Sequence, residues 1–257
     1  MKTKETAEYI TNWLNEYCNK AGLSGFVIGI SGGIDSALTS TLCALTGKKV
    51  ILMSMPIRQT SAEYNRAVAH IQNLEERFEN VSSMDIDLTA SFTQIEKDLP
   101  IDISTHQLSM ANARARLRML TLYAVGQVHG LLVAGTGNKI EDFGIGFYTK
   151  YGDGGVDLSP IADLTKTDVR HIAKEVGVIE SILEAKPTDG LWEDGRSDED
   201  QIGASYPELE WAMDFTGDED DLSPRKKEVL SIYRRYHSAN KHKMEPIPVC
   251  VIPEKFK

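Results

Sequence analysis

Short apolar runs alternate with amphipathic stretches along the chain, and this alternation constrains the fold more strongly than any other feature of the sequence. Two of these runs, Phe26–Ile30 and Lys49–Met55, are predicted as buried strands, and further strands fit Val81–Ile86 and Leu131–Thr136. Between and after the runs, apolar residues recur at helical spacing. Strands that alternate with helices indicate βαβ units, so we predict an α/β fold with a mostly parallel, doubly wound sheet flanked by helices.

The length of the chain is compatible with one large α/β domain or two small ones. Its 257 residues contain no internal repeat, and we predict a single domain over residues 1–257. The composition changes after about Pro187, where an acidic, turn-rich segment begins. We predict that this segment, around 188–224, is a mobile lid over a bound ligand; the alternative is a solvated surface excursion.

The net charge of −10 and the sequence pI of about 5.1 argue against general nucleic-acid binding, because Lys and Arg dominate phosphate recognition. The three cysteines lie far apart and match no zinc spacing, which is typical of reduced thiols in the cytosol. No apolar run approaches the roughly 18 residues that span a bilayer, and the first residues lack the apolar centre of a signal peptide. We therefore predict a cytoplasmic protein that binds neither membranes nor nucleic acid.

A glycine-rich loop joins the first predicted strand to a helix, in the stretch ISGGIDSALTS. Gly32 and Gly33 allow the backbone to approach a ligand closely, so that successive N–H groups and the start of the helix face a bound anion. No lysine follows the glycines, which excludes the Walker A pattern, and the spacing of Gly29, Gly32 and Gly33 does not match a dinucleotide fingerprint. The loop therefore predicts a phosphate site of a less common kind.

Asp35 places a carboxylate beside this predicted phosphate site. A carboxylate repels a polyphosphate unless a cation lies between them, which indicates Mg²⁺. The alternative is that Asp35 only caps the helix. A second candidate carboxylate, Glu141, follows the predicted strand that ends at Thr136, and parallel strands end at the same edge of a sheet.

A second glycine-rich block, Gly135–Lys166, surrounds acids and lysines with glycines. Glycines let the backbone approach a ligand and the charges would bind it, whereas a polar surface turn is the alternative. Taken in order, the motifs resemble those of the ammonia-dependent NAD synthetases, and SGGIDS by itself resembles the loop of the wider ATP pyrophosphatase superfamily. The motifs are SGGIDS, ARARLRM, GTGNKIED, GFYTKYGDGG, PIADLTK, the KPT segment and a late HK pair.

The resemblance implies a Rossmann-like fold of the adenine nucleotide alpha-hydrolase type and a specific reaction. In this family ATP adenylates the carboxylate of nicotinate adenine dinucleotide, pyrophosphate leaves, and ammonia displaces AMP to give NAD. The implied partners are therefore ATP as co-substrate, nicotinate adenine dinucleotide, ammonia and Mg²⁺. The family forms homodimers, and the chain has no recognisable glutaminase segment, so free ammonia is the expected nitrogen donor.

The resemblance also assigns roles to individual residues. Lys166 would offset charge at the α-phosphate, Asp153 would hold ammonium and help to deprotonate it, and Asp35 and Glu141 would hold Mg²⁺. The implied ATP contacts are Gly29, Ile30, Ser31, Gly32, Gly33, Ile34, Asp35, Ser36, Thr136, Lys166 and Thr188. The implied contacts to the dinucleotide are Arg116, Lys150, Asp157, His242 and Lys243.

Two other functions remain compatible with the residues alone. One is another ATP pyrophosphatase with the same loop and a different acceptor. The other is an adenine-nucleotide sensor without catalytic activity, for which Glu141, Lys150 and Lys166 would be dispensable.

Overall fold

The computed structural model of the chain describes residues 1–100, 102, 105–185 and 197–257. The strands are β1 Gly25–Gly29, β2 Lys49–Ser54, β3 Val81–Asp85 and β4 Leu131–Val133. The helices are α1 Thr3–Ala21, α2 Ile34–Leu45, α3 Ser61–Arg77, α4 Thr89–Asp98, α5 Gln107–His129, a π-helix Ile140–Ile145, α6 Lys166–Glu175, α7 Glu180–Leu183, α8 Asp198–Ile202, α9 Tyr206–Asp214, α10 Pro224–Met244 and a 3₁₀ turn Glu254–Phe256.

The four described strands form one fully parallel sheet in the order β3-β2-β1-β4. Successive side chains of β1 point to opposite faces of the sheet and enter two different cores: Phe26 and Ile28 face one side, and Val27 faces the other. Both faces of β1 are therefore buried, which explains why this strand is a continuous apolar run rather than an alternating one, whereas the edge strand β3 is polar and largely exposed. The predicted α/β class with a parallel, doubly wound sheet is confirmed.

The two faces of the sheet carry different helices. Helices α1, α2, α3 and α6 bury their apolar stripes with Phe26 and Ile28, whereas α4 and α5 pack on the opposite face with Val27. Two of the helices begin at side-chain caps: Thr60 accepts a hydrogen bond from the Glu63 N–H, and Thr165 forms a reciprocal capping box with Asp168. Within the described residues, no helix combines the length and apolar character needed to cross a membrane.

The acidic part of the sequence contributes a third core instead of a purely solvated excursion. Of its described residues, those from 197 onward form α8 and α9, each of which begins at a capping box. Their buried residues, among them Ile202, Tyr206 and Leu209, pack against Val229 of α10 and the π-helix. Whether the predicted segment 188–224 moves as a lid stays a prediction.

The strand order defines a crevice at one edge of the sheet. From β1 the chain proceeds through β2 and β3 on one side, and then crosses back to place β4 on the other side of β1. Ligands of open α/β folds bind at such a switch point, outside the carboxyl ends of the strands. The loop after β1 and the segment after β4 both emerge there, so the fold brings the two glycine-rich regions together.

Candidate active site

The loop after β1 is held in shape by its own two serines. The Ser31 hydroxyl lies 3.1 Å from the Ser36 hydroxyl and accepts a hydrogen bond of 3.2 Å from the Gly33 N–H. Ser36 donates in turn to the Gly33 carbonyl at 2.9 Å. Gly32 has φ +85°, and a Cβ at this position would lie 2.5 Å from the Glu63 carbonyl oxygen. The turn therefore requires glycine at position 32 both for its conformation and for its contact with α3.

The remaining residues of the loop contribute mainly through their backbone. Ile30 and Ile34 are buried in the core of the sheet, and Ile34 also borders the cavity above the loop. Gly29 ends β1, and Ile30 continues the pairing with β2 through a 2.8 Å hydrogen bond to the Met53 carbonyl. The arrangement leaves the start of α2 directed at the crevice, which suits an anion.

A buried lysine joins the two predicted metal ligands. The Lys166 ammonium lies 2.5 Å from a carboxylate oxygen of Asp35 and 2.9 Å from one of Glu141. Lys166 has only 3% of its side chain exposed, and the two carboxylates have 17% each. Lys166 is the first residue of α6 and Asp35 lies in the first turn of α2, so residues 131 positions apart meet at one point. We call the Ser31–Ser36 loop together with Glu141 and Lys166 the phosphate end of the site.

Two uncharged side chains hold these carboxylates in place, and sequence reasoning missed both. The fully buried Asn138 amide donates to Asp35 at 3.1 Å, and its carbonyl oxygen accepts from the backbone N–H groups of Ile140 and Glu141 at 3.1 Å. The Tyr206 hydroxyl donates to Glu141 at 2.5 Å. Each carboxylate therefore has one neutral partner in addition to Lys166.

Charge balance at this point depends on burial and on the central cation. Burial raises the pKa of Asp35, and Lys166 only partly opposes this. Burial also acts to raise the pKa of Glu141, but the Lys166 charge and the Tyr206 hydrogen bond outweigh it, so the pKa lies below its ordinary value. Burial acts to lower the pKa of Lys166, yet the two carboxylates raise it above its usual range. Lys166 is thus an ammonium, and with both acids ionised the cluster carries a net negative charge.

These residues fit a magnesium ion that is shared with a phosphate ligand. Asp35 and Glu141 converge on one cationic atom, and carboxylate oxygens are the ligands that Mg²⁺ prefers. Among the described residues no cluster of three or more His, Cys, Asp or Glu side chains forms a complete protein cage. Mg²⁺ usually keeps several waters and binds through one or two carboxylates plus substrate phosphates, which matches this donor set.

A cavity of about 120 Å³ opens above the loop. Arg66 of α3 reaches into it and donates to the Gly32 carbonyl at 3.3 Å, which places a guanidinium beside the turn that lacks its own lysine. Sequence reasoning missed Arg66 because only the packing of α3 on the loop brings it there. The lining residues are Ser31, Gly32, Gly33, Ile34, Asp35, Glu63, Arg66, Glu141, Lys166, Ala185 and Asp198.

Four predicted dinucleotide contacts meet at a second place, which we call the acceptor end of the site. Arg116 donates to the Lys150 carbonyl at 3.2 Å, and Lys150 donates to the His242 carbonyl at 3.0 Å. Lys243 donates to the carbonyls of Gly146 and Tyr148, the latter at 2.7 Å, and lies 4.8 Å from the centre of the Tyr148 ring. Burial lowers the pKa of Lys243. The acceptor end therefore joins α5, the glycine-rich block and the end of α10.

Acidic side chains lie between the two ends. Asp153 accepts a 3.0 Å hydrogen bond from the Thr149 N–H, and desolvation of its carboxyl group raises its pKa although the residue keeps an exposed face. Burial, followed by the charges of Glu141 and Asp153, raises the pKa of Asp142 to about 8. Asp142 packs so closely on Gly137 that a methyl group there would overlap its carboxylate. Sequence reasoning missed Asp142, because within this motif it assigned a role only to the neighbouring Glu141.

Three predicted site residues do not fall into these two groups. Asp157 uses both carboxylate oxygens within the protein: one accepts from the Val133 N–H at 2.8 Å and the other from the Tyr123 hydroxyl at 3.0 Å. Thr136 lies half-buried after β4, near the crevice. Thr188 lies outside the described residues. Roles for these three residues in ligand binding stay predictions.

The parallel sheet, the glycine-rich turn at its switch point and the adjacent charged cluster are features of a Rossmann-like fold with a site suited to the phosphates of a nucleotide. The sequence model of the family described as NAD synthase matches residues 6–246. The chain therefore belongs to the NAD synthase family, whose members are ligases.

Individual relatives agree with this assignment over their full length. The NH₃-dependent NAD⁺ synthetase of Mesoplasma florum is 35% identical over 100% of this chain and 99% of its own. A solved NMN synthetase from Francisella tularensis has a TM-score of 0.86 at 30% identity, with 99% of both chains covered. The NH₃-dependent NAD synthetase of Campylobacter jejuni, at 24% identity and a TM-score of 0.78, supports the fold.

Proposed function

We propose that this chain catalyses the ATP-dependent amidation of nicotinate adenine dinucleotide by ammonia, giving NAD, AMP and pyrophosphate through an adenylated carboxylate. The observation that carries the proposal is the buried Lys166 between Asp35 and Glu141, beside a preformed phosphate turn, in a chain of the NAD synthase family. A carboxylate is a poor electrophile because its oxygen is a poor leaving group. Adenylation converts that oxygen into one that ammonia displaces.

The first half-reaction belongs to the phosphate end. An oxygen of the nicotinate carboxylate attacks the α-phosphorus of ATP, and the bond from that phosphorus to the bridging oxygen of pyrophosphate breaks. The N–H groups of the Ser31–Ser36 loop and the guanidinium of Arg66 hold the departing pyrophosphate, while Lys166 stabilises charge that develops at the α-phosphate. Mg²⁺ held by Asp35 and Glu141 would supply further neutralisation of phosphate charge.

The second half-reaction belongs to the acceptor end. Arg116, Lys150, His242 and Lys243 hold the dinucleotide so that its acyl carbon faces the space near Asp153. Ammonia forms the new C–N bond, the C–O bond to AMP breaks, and the carboxylate of Asp153 receives the proton that nitrogen loses. Desolvation raises the pKa of Asp153, and this direction favours uptake of a proton by its carboxylate.

We further propose that free ammonia is the nitrogen donor and that the protein is a cytoplasmic homodimer. The donor is supported by the Mesoplasma florum relative, which is named NH₃-dependent and is covered over 99% of its length. The homodimer is an expectation from the family to which the chain belongs. Light scattering of the purified chain tests the dimer, and a comparison of ammonium with glutamine tests the donor.

Product analysis tests the proposed reaction. The protein is incubated with ATP, Mg²⁺, ammonium and nicotinate adenine dinucleotide, and nucleotides are separated by chromatography. NAD, AMP and pyrophosphate in equal amounts are expected. ADP and phosphate would contradict the mechanism, and binding of ATP without any turnover would favour the sensor.

A second acceptor is favoured by one specific observation. The Francisella tularensis structure, which matches nearly all of this chain at a TM-score of 0.86, is an NMN synthetase. The same chemistry on nicotinate mononucleotide is therefore the alternative function. The ratio of kcat/KM for the dinucleotide to that for the mononucleotide decides between them: a ratio well above one supports the dinucleotide, and a ratio below one supports the mononucleotide.

A further inference from the structure

Tyr206 brings a side chain from the acidic part of the sequence into the phosphate end. It is the first residue of α9 and is 3% exposed. Its hydroxyl donates at 2.5 Å to the same Glu141 oxygen that accepts from Lys166 at 2.9 Å. Hydrogen bonds to an ionised acceptor are about twice as strong as neutral ones, so this contact favours the Glu141 carboxylate in one orientation.

The ring of Tyr206 contacts the cation as well. The Lys166 ammonium lies 4.8 Å from the ring centroid, within the range of a cation–π interaction, and this attraction strengthens where water is excluded. Asp198 lies farther away, with an oxygen 3.4 Å from the hydroxyl, so the single phenolic proton is directed at Glu141. One neutral side chain therefore orients both Glu141 and Lys166.

The position of Tyr206 is itself fixed from two directions. Its backbone N–H donates to Glu199 at 2.8 Å, and the capping box of Ser205 and Glu208 starts the helix. One turn later, Glu210 accepts from the backbone N–H of Thr167 at 2.9 Å and from its hydroxyl at 2.8 Å. Because Thr167 follows Lys166 in α6, helix α9 is tied to the helix that carries the cation.

We propose that Tyr206 is a positioning residue of the amidation reaction, one that holds Glu141 in place for Mg²⁺ and Lys166 in place for the α-phosphate; this inference rests on the proposed function. The hydroxyl orients Glu141, and the ring limits where the ammonium can go. The phosphate end thus depends on α9, an element that lies outside the motifs of the family resemblance.

Tyr206→Phe tests the proposal because it removes the hydroxyl and keeps the ring. Tyr236→Phe is the matched control: this half-buried tyrosine packs against the same core and donates to the Gln201 carbonyl at 3.4 Å, away from the charged cluster. One measurement is turnover with nicotinate adenine dinucleotide. The other needs no turnover: binding of Mn²⁺, followed by electron paramagnetic resonance, in the presence of α,β-methylene ATP.

For Tyr206→Phe we expect kcat to fall about tenfold and the Mn²⁺ dissociation constant to rise about tenfold, the size of one hydrogen bond to a charged group. The KM for the dinucleotide should match that of Tyr236→Phe, and both variants should remain folded at the assay temperature. Equal kcat and equal Mn²⁺ binding in the two variants would overturn the proposal, as would a wild-type protein that binds no Mn²⁺. A wild-type protein that binds Mn²⁺ but makes no NAD would instead refute the proposed function, and the Mn²⁺ comparison would still decide the role of Tyr206.

Discussion

The two ends of the site are built in different ways. At the phosphate end, Lys166 contacts both Asp35 and Glu141 directly, and all three side chains are largely buried. At the acceptor end, Lys150 and Lys243 are bound to backbone carbonyls, and within the described residues neither forms an ion pair with an acid. The charged groups of the phosphate end therefore already pair with one another in a preformed cluster. At the acceptor end, the lysines hold loops through backbone carbonyls, so their positive charge remains available to a ligand.

This difference suits what each end has to bind. A polyphosphate carries dense charge, and buried groups that already have fixed positions do not need to reorganise during the reaction. A dinucleotide is larger and less charged per atom, so loops that are shaped by Lys243 and Lys150 are a more suitable surface. The predictions below separate the two ends, in order of decreasing effect on catalysis.

Removing the central cation should have the largest effect. Lys166→Met leaves Asp35 and Glu141 without their shared partner and removes the charge at the α-phosphate, so we expect kcat to fall by about 10²–10³. Lys139→Met is the control, because Lys139 pairs at 3.1 Å with the exposed Asp163. Steady-state production of AMP measures both variants, and an unchanged rate for Lys166→Met would show that the cluster is only structural.

Lys243→Met should affect the acceptor end alone. The loss of its hydrogen bonds to Gly146 and Tyr148, each made by a charged donor, is expected to lower kcat/KM for the dinucleotide by about 10- to 100-fold. The KM for ATP should stay unchanged. Lys241→Met, on the same helix and in an exposed pair with Glu245, serves as the control. An equal rise in both KM values would show that the two ends are not independent.

Gly32→Ala should weaken nucleotide binding by about tenfold, because the left-handed conformation costs about 1–2 kcal/mol for a residue with a Cβ. The added atom also meets the Glu63 carbonyl. Gly22→Ala is the matched control, because it places a Cβ on a left-handed residue (φ +67°) at the end of α1, outside the loop, with nothing within 4 Å of the added atom. Calorimetric titration with α,β-methylene ATP should show weaker binding for the first variant only. Equal affinities would mean that the turn does not hold phosphate.

His70 should change stability with pH while leaving catalysis at neutral pH untouched. It lies on α3, its Nε2 is 2.9 Å from the Ser40 hydroxyl of α2, and burial followed by the Arg77 charge lowers its pKa from 6.5 to about 4. Because the unfolded chain takes up the proton first, the folded state is fully favoured above about pH 6.5 and loses about 2 kcal/mol between pH 7 and pH 5. Denaturant unfolding of wild type and His70→Gln at both pH values measures this loss; an equal pH dependence would contradict it.

The fold and the phosphate turn were predictable because their signals are local. Apolar runs of strand length and a glycine pair between strand and helix indicate their structures without reference to distant residues. The meeting of Asp35 with Glu141 was also predictable, since both follow parallel strands that end at one edge of the sheet.

Other parts of the site depend on packing that no local pattern encodes. Tyr206 and Arg66 reach the cluster only because α9 and α3 pack where they do. Lys166 was predicted as an ATP contact, but its burial between two acids follows from the way α6 meets the crevice. Asp157 lies in one of the family motifs. In the structure, one of its carboxylate oxygens accepts a hydrogen bond from the backbone of β4 and the other accepts one from Tyr123.

Tracing oxygen through the reaction tests the central claim most directly, because it identifies the atom that attacks the nucleotide. Nicotinate adenine dinucleotide with heavy oxygen in its carboxylate is converted with ATP and ammonium, and the products are weighed by mass spectrometry. The account predicts one heavy oxygen in the phosphoryl group of AMP and none in pyrophosphate. AMP without the label, or ADP in place of AMP, would contradict it.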